Sequence, residues 1–182
     1  MRRLAAIVLY TALAFGANTA AAADLAALKT GEMRKLALAD DLVPASEAVF
    51  EDAAGNQKQI ADWRGKVVLV NLWATWCAPC RTEMPSLDRL EAAMGGEDFA
   101  VVTLATGRNP LPAIEKFFAD AGVTHLPILR DEHQVFSREM GALGLPVSIL
   151  LDRDGREVAR LIGGAEWDTP ESKAVISALI DG

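Results

Sequence analysis

The chain has 182 residues, of which 51% are hydrophobic and 24% are charged, with a formal net charge of −7 and two cysteines. This length fits one domain, because chains usually divide into separate cores only beyond roughly 250 residues. The near-average composition argues against disorder, collagen-like repeats and disulfide-dense miniproteins. The acidic balance argues against a nucleic-acid-binding function, which needs a basic surface.

Residues 1–23 differ sharply from the rest of the chain. Arg2 and Arg3 precede the apolar run Leu4–Ala17, and three alanines lead into Asp24. This order is typical of a secretory signal peptide. An uncleaved membrane anchor stays open as an alternative, because Leu4–Ala23 totals 20 residues, the minimum that spans about 30 Å of hydrocarbon. In both cases we expect an exported protein, and cleavage after residue 23 would leave a net charge of −9.

The next part of the chain carries weaker signals. Residues 24–43 are mixed in character, and apolar residues at loosely helical spacing predict a lead-in segment with one short helical piece. The runs Val49–Glu51 and Gln57–Ile60 flank a turn-rich spacer, which predicts a β-hairpin.

From residue 66 onward, apolar strand-like runs alternate with helical spacing. Lys66–Trp73 is a continuous apolar and β-branched run, as expected for a strand buried on both faces. A helix that ends at Gly95 should follow. We then predict, in chain order, a strand at Phe99–Ala105, a helix at Leu111–Ala121, a strand at Ile128–Leu129, a short helix at Val135–Glu139, a strand at Ser148–Leu151, a strand at Glu157–Ile162 and a helix from Pro170 to Ile180. This alternation indicates an α/β domain with a mixed central sheet flanked by helices.

Both cysteines lie in the segment Trp76-Cys77-Ala78-Pro79-Cys80, directly after the buried strand and at the start of a helix. A structural disulfide would close a very short loop and stabilise the fold little. A structural metal site needs about four ligands, and the chain has no second CxxC pair. A redox-active dithiol explains the placement better than either alternative.

The position at a helix N-terminus favours this redox chemistry. Unpaired N–H groups and the helix dipole stabilise an anion there, so the pKa of the Cys77 thiol should be lowered. Cys80, one turn further, should be more shielded. An exposed nucleophile beside a buried resolving thiol is what thiol–disulfide exchange requires.

The sequence resembles the thioredoxin superfamily over about residues 44–180, and within it the exported TlpA/ResA/CcmG-like thiol–disulfide reductases. The resemblance rests on three segments, which are Asp62–Lys66, Asn71–Arg81 with Glu83 and Pro85, and Gly144–Pro146. A glycine-rich tail at Gly163–Trp167, with Gly31–Met33 upstream, points towards the TlpA branch. The family implies a thioredoxin-like fold over residues 44–182, with an N-terminal β-hairpin extension and a central βα insertion.

The resemblance also implies roles for individual residues. Cys77 and Cys80 would be the catalytic pair that forms the redox disulfide, and Pro146 would be a cis-proline facing it. Leu145 and Pro146 would form an edge on which an extended substrate docks. The substrate-binding residues implied in this way are Trp76, Ala78, Pro79, Leu145 and Pro146.

Glu83 is the third predicted catalytic residue. Thioredoxin itself carries a buried aspartate where this chain has Asn71, and Glu83 would replace that carboxylate, as in ResA-like members. Since Glu83 lies three residues after Cys80, the two share a helix face. A carboxylate there would raise the thiol pKa and relay a proton. The alternative is an ordinary solvated glutamate on the helix surface.

Two other functions that also use cysteines, those of a copper chaperone and of a peroxiredoxin, fit the residue spacing less well. A copper chaperone would need His125 or His133 to join the cysteines, and the Sco-type copper proteins have a CxxxC spacing that this chain lacks. We expect both histidines to be surface or partly buried structural residues. A peroxiredoxin needs a threonine three residues before its cysteine, whereas Thr75 lies two before Cys77.

The sequence therefore predicts an exported protein-disulfide reductase with no metal or cofactor and no nucleic-acid partner. Its oxidised dithiol would need an electron-donating membrane protein of the DsbD/CcdA type. Candidate substrates are the haem-binding cysteines of apocytochrome c and the copper-site cysteines of cytochrome oxidase, and the TlpA-like tail favours the second. A noncatalytic copper-delivery module is the alternative from a different class.

Overall fold

A mixed sheet organises residues 25–182, the part of the chain that this computed structural model describes. Its strands are β1 Ala37–Pro44, β2 Phe50–Asp52, β3 Gln57–Lys58, β4 Val67–Trp73, β5 Phe99–Thr106, β6 Leu129–Asp131, β7 Val147–Leu151 and β8 Arg156–Ile162. The helices are α1 Ala78–Met94, α2 Leu111–Ala121, α3 Val135–Glu139 and α4 Pro170–Asp181, with 3-10 turns at Gly31–Lys35 and Ile60–Trp63.

The predicted signal peptide or anchor at residues 1–23 lies outside the described residues. Among the helices of residues 25–182, none combines the length and the apolar character needed to cross a membrane.

The strand order is β1-β8-β7-β4-β5-β6-β2-β3. Strand β4 lies in the interior, parallel to β5 and antiparallel to β7. This arrangement confirms the predicted mixed sheet, and the hairpin β2–β3 extends one edge of it. Between β5 and β7 the chain forms α2, β6 and α3, and β6 pairs with β5 in parallel.

Both faces of β4 are covered, so all seven of its residues are buried. Leu69 and Trp73 pack into a core with residues of α1 and α4. Val70 and Leu72 point to the other face and join a second core that includes Phe136 of α3. The continuous apolar run in the sequence reflects this double burial.

The helix ends follow the predicted signals. Helix α1 ends at Gly95, as predicted. Helix α2 ends at Gly122, which has a left-handed backbone (φ 68°) that a residue without a side chain adopts at little cost. The Thr169 side chain caps α4 by accepting a hydrogen bond from the Ser172 N–H at 3.2 Å.

The lead-in segment holds the predicted short helical piece, since residues 25–28 are helical and a 3-10 turn follows at Gly31–Lys35. It also holds β1, an eight-residue strand paired with β8, for which the sequence carries no signal. The side chains of β1 are exposed or half-buried without a regular alternation, and the register shifts between Leu38 and Val43. The strand therefore lacks the period-two pattern by which strands are found in a sequence.

Candidate active site

The two cysteines lie where β4 ends and α1 begins, and their sulfurs are bonded to each other (S–S 2.01 Å, Cα–Cα 5.3 Å). Cys77 is the N-cap of α1, and its sulfur accepts a hydrogen bond from the Cys80 N–H at 3.3 Å. Cys77 retains 6% of its surface exposed, whereas Cys80 is fully buried. The sulfur of Cys77 is therefore the one that solvent or a partner reaches.

The loop before the cysteines is fixed by Asn109, which follows β5. Its side-chain oxygen accepts hydrogen bonds from the Thr75 N–H at 2.8 Å and from the Thr75 hydroxyl at 2.9 Å. Its amide group donates to the Thr106 carbonyl at 2.8 Å. Asn109 thus ties the segment entering the active site to the neighbouring strand. The sequence gives no local signal for this contact, which spans 34 residues.

An open groove of about 440 Å³ runs beside Cys77. Trp76, Pro79 and Leu145 line it, together with the fully exposed Leu143. Trp76 is itself 67% exposed, so two large apolar side chains stand free next to the reactive sulfur. Such an exposed apolar surface is typical of a site where another molecule binds.

The other two predicted substrate-binding residues, Ala78 and Pro146, are not among the residues that line this groove. The Leu145–Pro146 peptide is cis, as the resemblance implied, and Pro146 is buried behind the half-buried Leu145. Ala78 instead lines a second groove on the other side of Trp76, where the Arg81 guanidinium lies 5.0 Å from the Phe117 ring centre. Trp76 therefore borders both grooves.

Glu83 lies on α1 one turn after Cys80 and is only 3% exposed, which rules out the solvated alternative. One carboxylate oxygen accepts a hydrogen bond from the Asn71 amide at 2.8 Å, and the other accepts from the Ala165 N–H at 3.0 Å. Removal from water raises the pKa of Glu83 to about 7, although these hydrogen bonds and the adjacent Trp167 indole oppose the rise.

The loop that donates to Glu83 belongs to the glycine-rich tail noted in the sequence. Gly164 lies next to Pro79 and Glu83, close enough that an added Cβ would be 3.7 Å from the Pro79 carbonyl oxygen. On the outside, the Lys35 ammonium donates to the Gly164 carbonyl at 3.3 Å. Residues 163–165 thus cover Glu83 on the side facing solvent.

Comparison with known proteins places this geometry in a family. The family model described as Redoxin matches residues 38–176. The chain belongs to the Redoxin family. The thiol-disulfide oxidoreductase ResA of Geobacillus thermodenitrificans is 32% identical over 120 residues, which cover 66% of this chain and 67% of that protein. These matches confirm the resemblance to the ResA-like branch, and the chain is a thioredoxin-like thiol-disulfide oxidoreductase.

Two solved structures have a fold similar to that of this chain. A Chlorobium tepidum protein described as a thiol:disulfide interchange protein DsbE superposes with a TM-score of 0.67 at 26% identity, covering 77% of this chain and 98% of its own. A secreted thiol-disulfide isomerase of Corynebacterium glutamicum superposes with a TM-score of 0.64 at 22% identity, covering 81% and 93% of the two chains. The second comparison shows a shared fold.

Proposed function

We propose that this Redoxin-family protein is an exported protein-disulfide reductase in which Cys77 attacks, Cys80 resolves and Glu83 moves the proton. The observation that carries the proposal is the Cys77–Cys80 disulfide at the start of α1, in which Cys77 keeps some exposure and Cys80 is fully buried, three residues before the buried Glu83 on the same helix. The bonded sulfurs represent the enzyme after it has reduced a substrate.

The first step uses the position of Cys77 at the helix N-terminus. In the reduced enzyme, the N–H groups of the first turn and the helix dipole lower the pKa of its thiol and favour the thiolate. The thiolate attacks one sulfur of a substrate disulfide and forms a mixed disulfide, while the other substrate sulfur leaves as a thiolate and takes a proton from solvent.

The second step uses the buried pair Cys80 and Glu83. Glu83 in its ionised form accepts the Cys80 proton, and the Cys80 thiolate attacks the Cys77 sulfur. The Cys77–Cys80 bond forms, the mixed disulfide breaks, and the second substrate thiolate leaves and is protonated. Because the pKa of Glu83 is raised to about 7, the carboxylate is matched to proton transfer at neutral pH.

Substrate binding is assigned to the groove beside Cys77. Within residues 25–182, neither the N–H nor the carbonyl of Leu145 has a hydrogen-bond partner. An extended substrate segment can pair with these groups in the manner of an added strand. Trp76, Ala78 and Pro79 supply apolar contacts around the disulfide, and Pro146 fixes the backbone behind Leu145.

We assign the protein to an exported setting from the predicted leader and from the description of one structural neighbour. Residues 1–23 read as a signal peptide or tether, and the Corynebacterium glutamicum neighbour is a secreted protein. In an oxidising compartment the disulfide must be reduced again by a dedicated donor, which we assign to a membrane protein of the DsbD/CcdA type. The proposed substrates are apocytochrome c or copper-site proteins, the second favoured by the glycine-rich tail.

A trapping experiment tests the proposal. In Cys80→Ser the resolving thiol is gone, so mixed disulfides on Cys77 should accumulate when the reduced variant meets a periplasmic extract. The matched control is Cys77→Ser, which should trap nothing. Efficient trapping by the control alone would reverse the assignment of nucleophile and resolving thiol.

Two further measurements separate the alternatives. A dithiol reduction potential near that of thioredoxin, about −270 mV, supports a reductase, whereas one near that of DsbA, about −120 mV, would contradict it. Stoichiometric Cu(I) binding by the reduced protein, without reduction of insulin disulfides, would favour the copper-delivery module.

The role of Glu83 is tested by Glu83→Gln, which should lower the pH at which Cys80 becomes reactive. An unchanged titration of the Cys80 thiol would exclude a role of Glu83 in its reactivity.

A further inference from the structure

Leu143 differs from the other apolar residues of the surface in being entirely exposed. Its relative exposure is 102%, the highest among the large apolar residues of the described chain. A single exposed leucine is ordinary on a protein surface. Leu143, however, lines the groove that contains Cys77, and so does Trp76, which is 67% exposed. Its place beside the reactive cysteine therefore calls for an explanation.

The loop that carries Leu143 leaves α3 in a fixed direction. Gly141 follows the end of this helix with a left-handed backbone (φ 67°), which a residue without a side chain adopts at little cost. The Gly141 N–H donates to the Arg138 carbonyl at 3.0 Å, and the Ala142 N–H donates to the Ser137 carbonyl at 2.9 Å. This pair of hydrogen bonds is the Schellman motif, which defines how a chain turns out of a helix.

Both ends of the loop are anchored in the protein. On the side of α3, Phe136 is fully buried in the second core and Met140 is 8% exposed. On the other side, Leu145 packs against both cores. Leu143 lies between these anchors, so its side chain is presented to solvent on a well-held loop. Such preorganisation reduces the conformational entropy that is lost when a partner binds.

The other residues of the groove decide which kind of side chain can bind beside Leu143. Among the described residues that line the groove none is charged, and the polar ones are Thr106, Gln134 and Ser137. The Thr106 hydroxyl is already engaged, 2.7 Å from the Ser137 hydroxyl and 3.2 Å from a carboxylate oxygen of the buried Asp131. An apolar side chain would gain from burial against Leu143, whereas a charged one would lose water without finding a counter-ion.

The exchange reaction determines how close a substrate comes to Leu143. In the mixed disulfide, a substrate cysteine is bonded to Cys77, and the segment around it can pair with the backbone groups of Leu145, which have no partner within residues 25–182. The Cα atoms of Leu143 and Leu145 are two residues apart and thus separated by at most about 7 Å. An extended chain advances about 3.3 Å per residue. Leu143 is therefore within reach of a side chain one or two positions from the substrate cysteine.

We propose that Leu143 is a specificity-determining residue, which binds an apolar side chain one or two positions from the substrate cysteine, together with Trp76. This inference rests on the proposed reductase function and names a substrate class for it. The class consists of extended cysteine-containing segments with an aliphatic or aromatic residue close to the cysteine. Leu143 contributes contact area to the complex and takes no part in the transfer of electrons or protons.

The test uses short peptides that are linked as homodimers through a central cysteine, so that both sulfurs of the disulfide are equivalent. Each of the two positions on either side of the cysteine carries in turn leucine or asparagine, which are similar in size and differ in polarity. The reduced protein is mixed with each peptide, and the thiol peptide released in a single turnover is followed by rapid quenching and chromatography. At the preferred position we expect leucine to give a rate constant about tenfold above that of asparagine.

Three variants assign this preference to Leu143. Leu143→Ala removes most of the contact and should lower the leucine-to-asparagine ratio to roughly threefold or less. Because the side chain is fully exposed, this variant should fold like the wild type. Leu143→Met keeps an apolar side chain of similar size and should keep the ratio. The matched control is Val43→Ala, which changes an exposed apolar residue at the end of β8 away from the active site and should leave rates and ratio unchanged.

A ratio near one at every position in the wild type would overturn the inference, and so would a preference that persists unchanged in Leu143→Ala. A ratio near one together with wild-type dimers that Leu143→Ala dissociates would assign the residue to an interface between copies of the chain, which also contradicts the inference. In all these outcomes the peptides are still reduced. Failure of the proposed reductase function would instead leave every peptide oxidised.

Discussion

Helix α1 carries two carboxyl groups that are both shielded from solvent but are held in different ways. Glu83, in the half next to the cysteines, accepts one hydrogen bond on each oxygen, and its pKa is raised. Asp88, further along the helix, is 5% exposed. One of its oxygens accepts from three consecutive backbone N–H groups, those of Thr124, His125 and Leu126, and the other contacts the His125 ring at 3.0 Å.

The hydrogen-bond donors around each carboxyl group decide whether its pKa is lowered or raised. Burial alone would raise the pKa of Asp88, but the hydrogen bonds from the His125 ring and the three N–H groups outweigh it, so the pKa is lowered. At Glu83 burial outweighs the hydrogen bonds. Asp88 is therefore a permanently charged anchor for the loop before β6, whereas Glu83 can exchange a proton near neutral pH. One helix thus carries a structural and a titrating carboxyl group.

The largest loss of stability is expected from removing the Asp88 carboxylate. Asp88→Ala leaves three backbone N–H groups without their acceptor and should lower the free energy of unfolding by about 3 kcal/mol. Asp88→Asn is the matched control, because its side-chain oxygen can still accept the three bonds and should cost less than half as much. Urea unfolding of the oxidised proteins measures both. Equal losses of unfolding free energy in the two variants would show that the negative charge of Asp88, and not its three hydrogen bonds, stabilises this loop.

The second effect is a pH dependence that Glu83 imposes on stability. Its pKa in the folded protein is about 7, above the value of 4.5 expected in the unfolded chain. A raised pKa favours folding at low pH, and that stability is lost as the pH rises through the folded value. The free energy of unfolding of the oxidised protein should therefore fall by about 2 to 3 kcal/mol between pH 4.5 and 8.

Glu83→Gln provides the control for this pH dependence, since it should remove most of the decline. Asp88 contributes in the opposite direction and only at acid pH, where stability is lost as its lowered pKa is crossed. A wild-type stability that stays level from pH 4.5 to 8 would mean that the Glu83 carboxyl group is already ionised in the folded protein at low pH.

The smallest effect concerns the histidine of the anchor. The His125 side chain is 54% exposed, and it contributes one of the four contacts to Asp88. His125→Ala should therefore lower the free energy of unfolding by less than about 1 kcal/mol, because exposed pairs contribute little. Thermal unfolding at neutral pH measures this change. A loss as large as that of Asp88→Ala would move the anchoring role from the backbone to the ring.

Much of the fold could be predicted because its elements carry local signals. The buried run of β4, the helix Leu111–Ala121 with its terminal glycine and the capped last helix all lie where the sequence places them. These signals come from periodicity and from end residues, which act within a few positions. Strand β1 was missed because its pairing with β8 leaves its side chains exposed or half-buried, without a pattern.

The candidate active site likewise contains residues that carry a local sequence signal and residues that carry none. The cysteines, Glu83 and the Leu145–Pro146 segment could be identified from motifs and from family resemblance. The partners that set the charge of Glu83 could not, since Asn71 lies 12 residues before it and Ala165 lies 82 residues after it. Likewise, nothing near Asp88 in the sequence indicates that the backbone around His125 binds it across 37 residues.

The outermost strands of the sheet bear on how the molecule behaves beside copies of itself. At one edge, β3 offers only two residues for pairing. At the other, β1 carries the adjacent Asp40 and Asp41, a break in register and a final proline. Short, charged or irregular edges discourage sheets from joining edge to edge. The sheet is thus protected against edge-to-edge joining at both ends, whereas the Leu145 backbone groups beside Cys77 have no hydrogen-bond partner among residues 25–182.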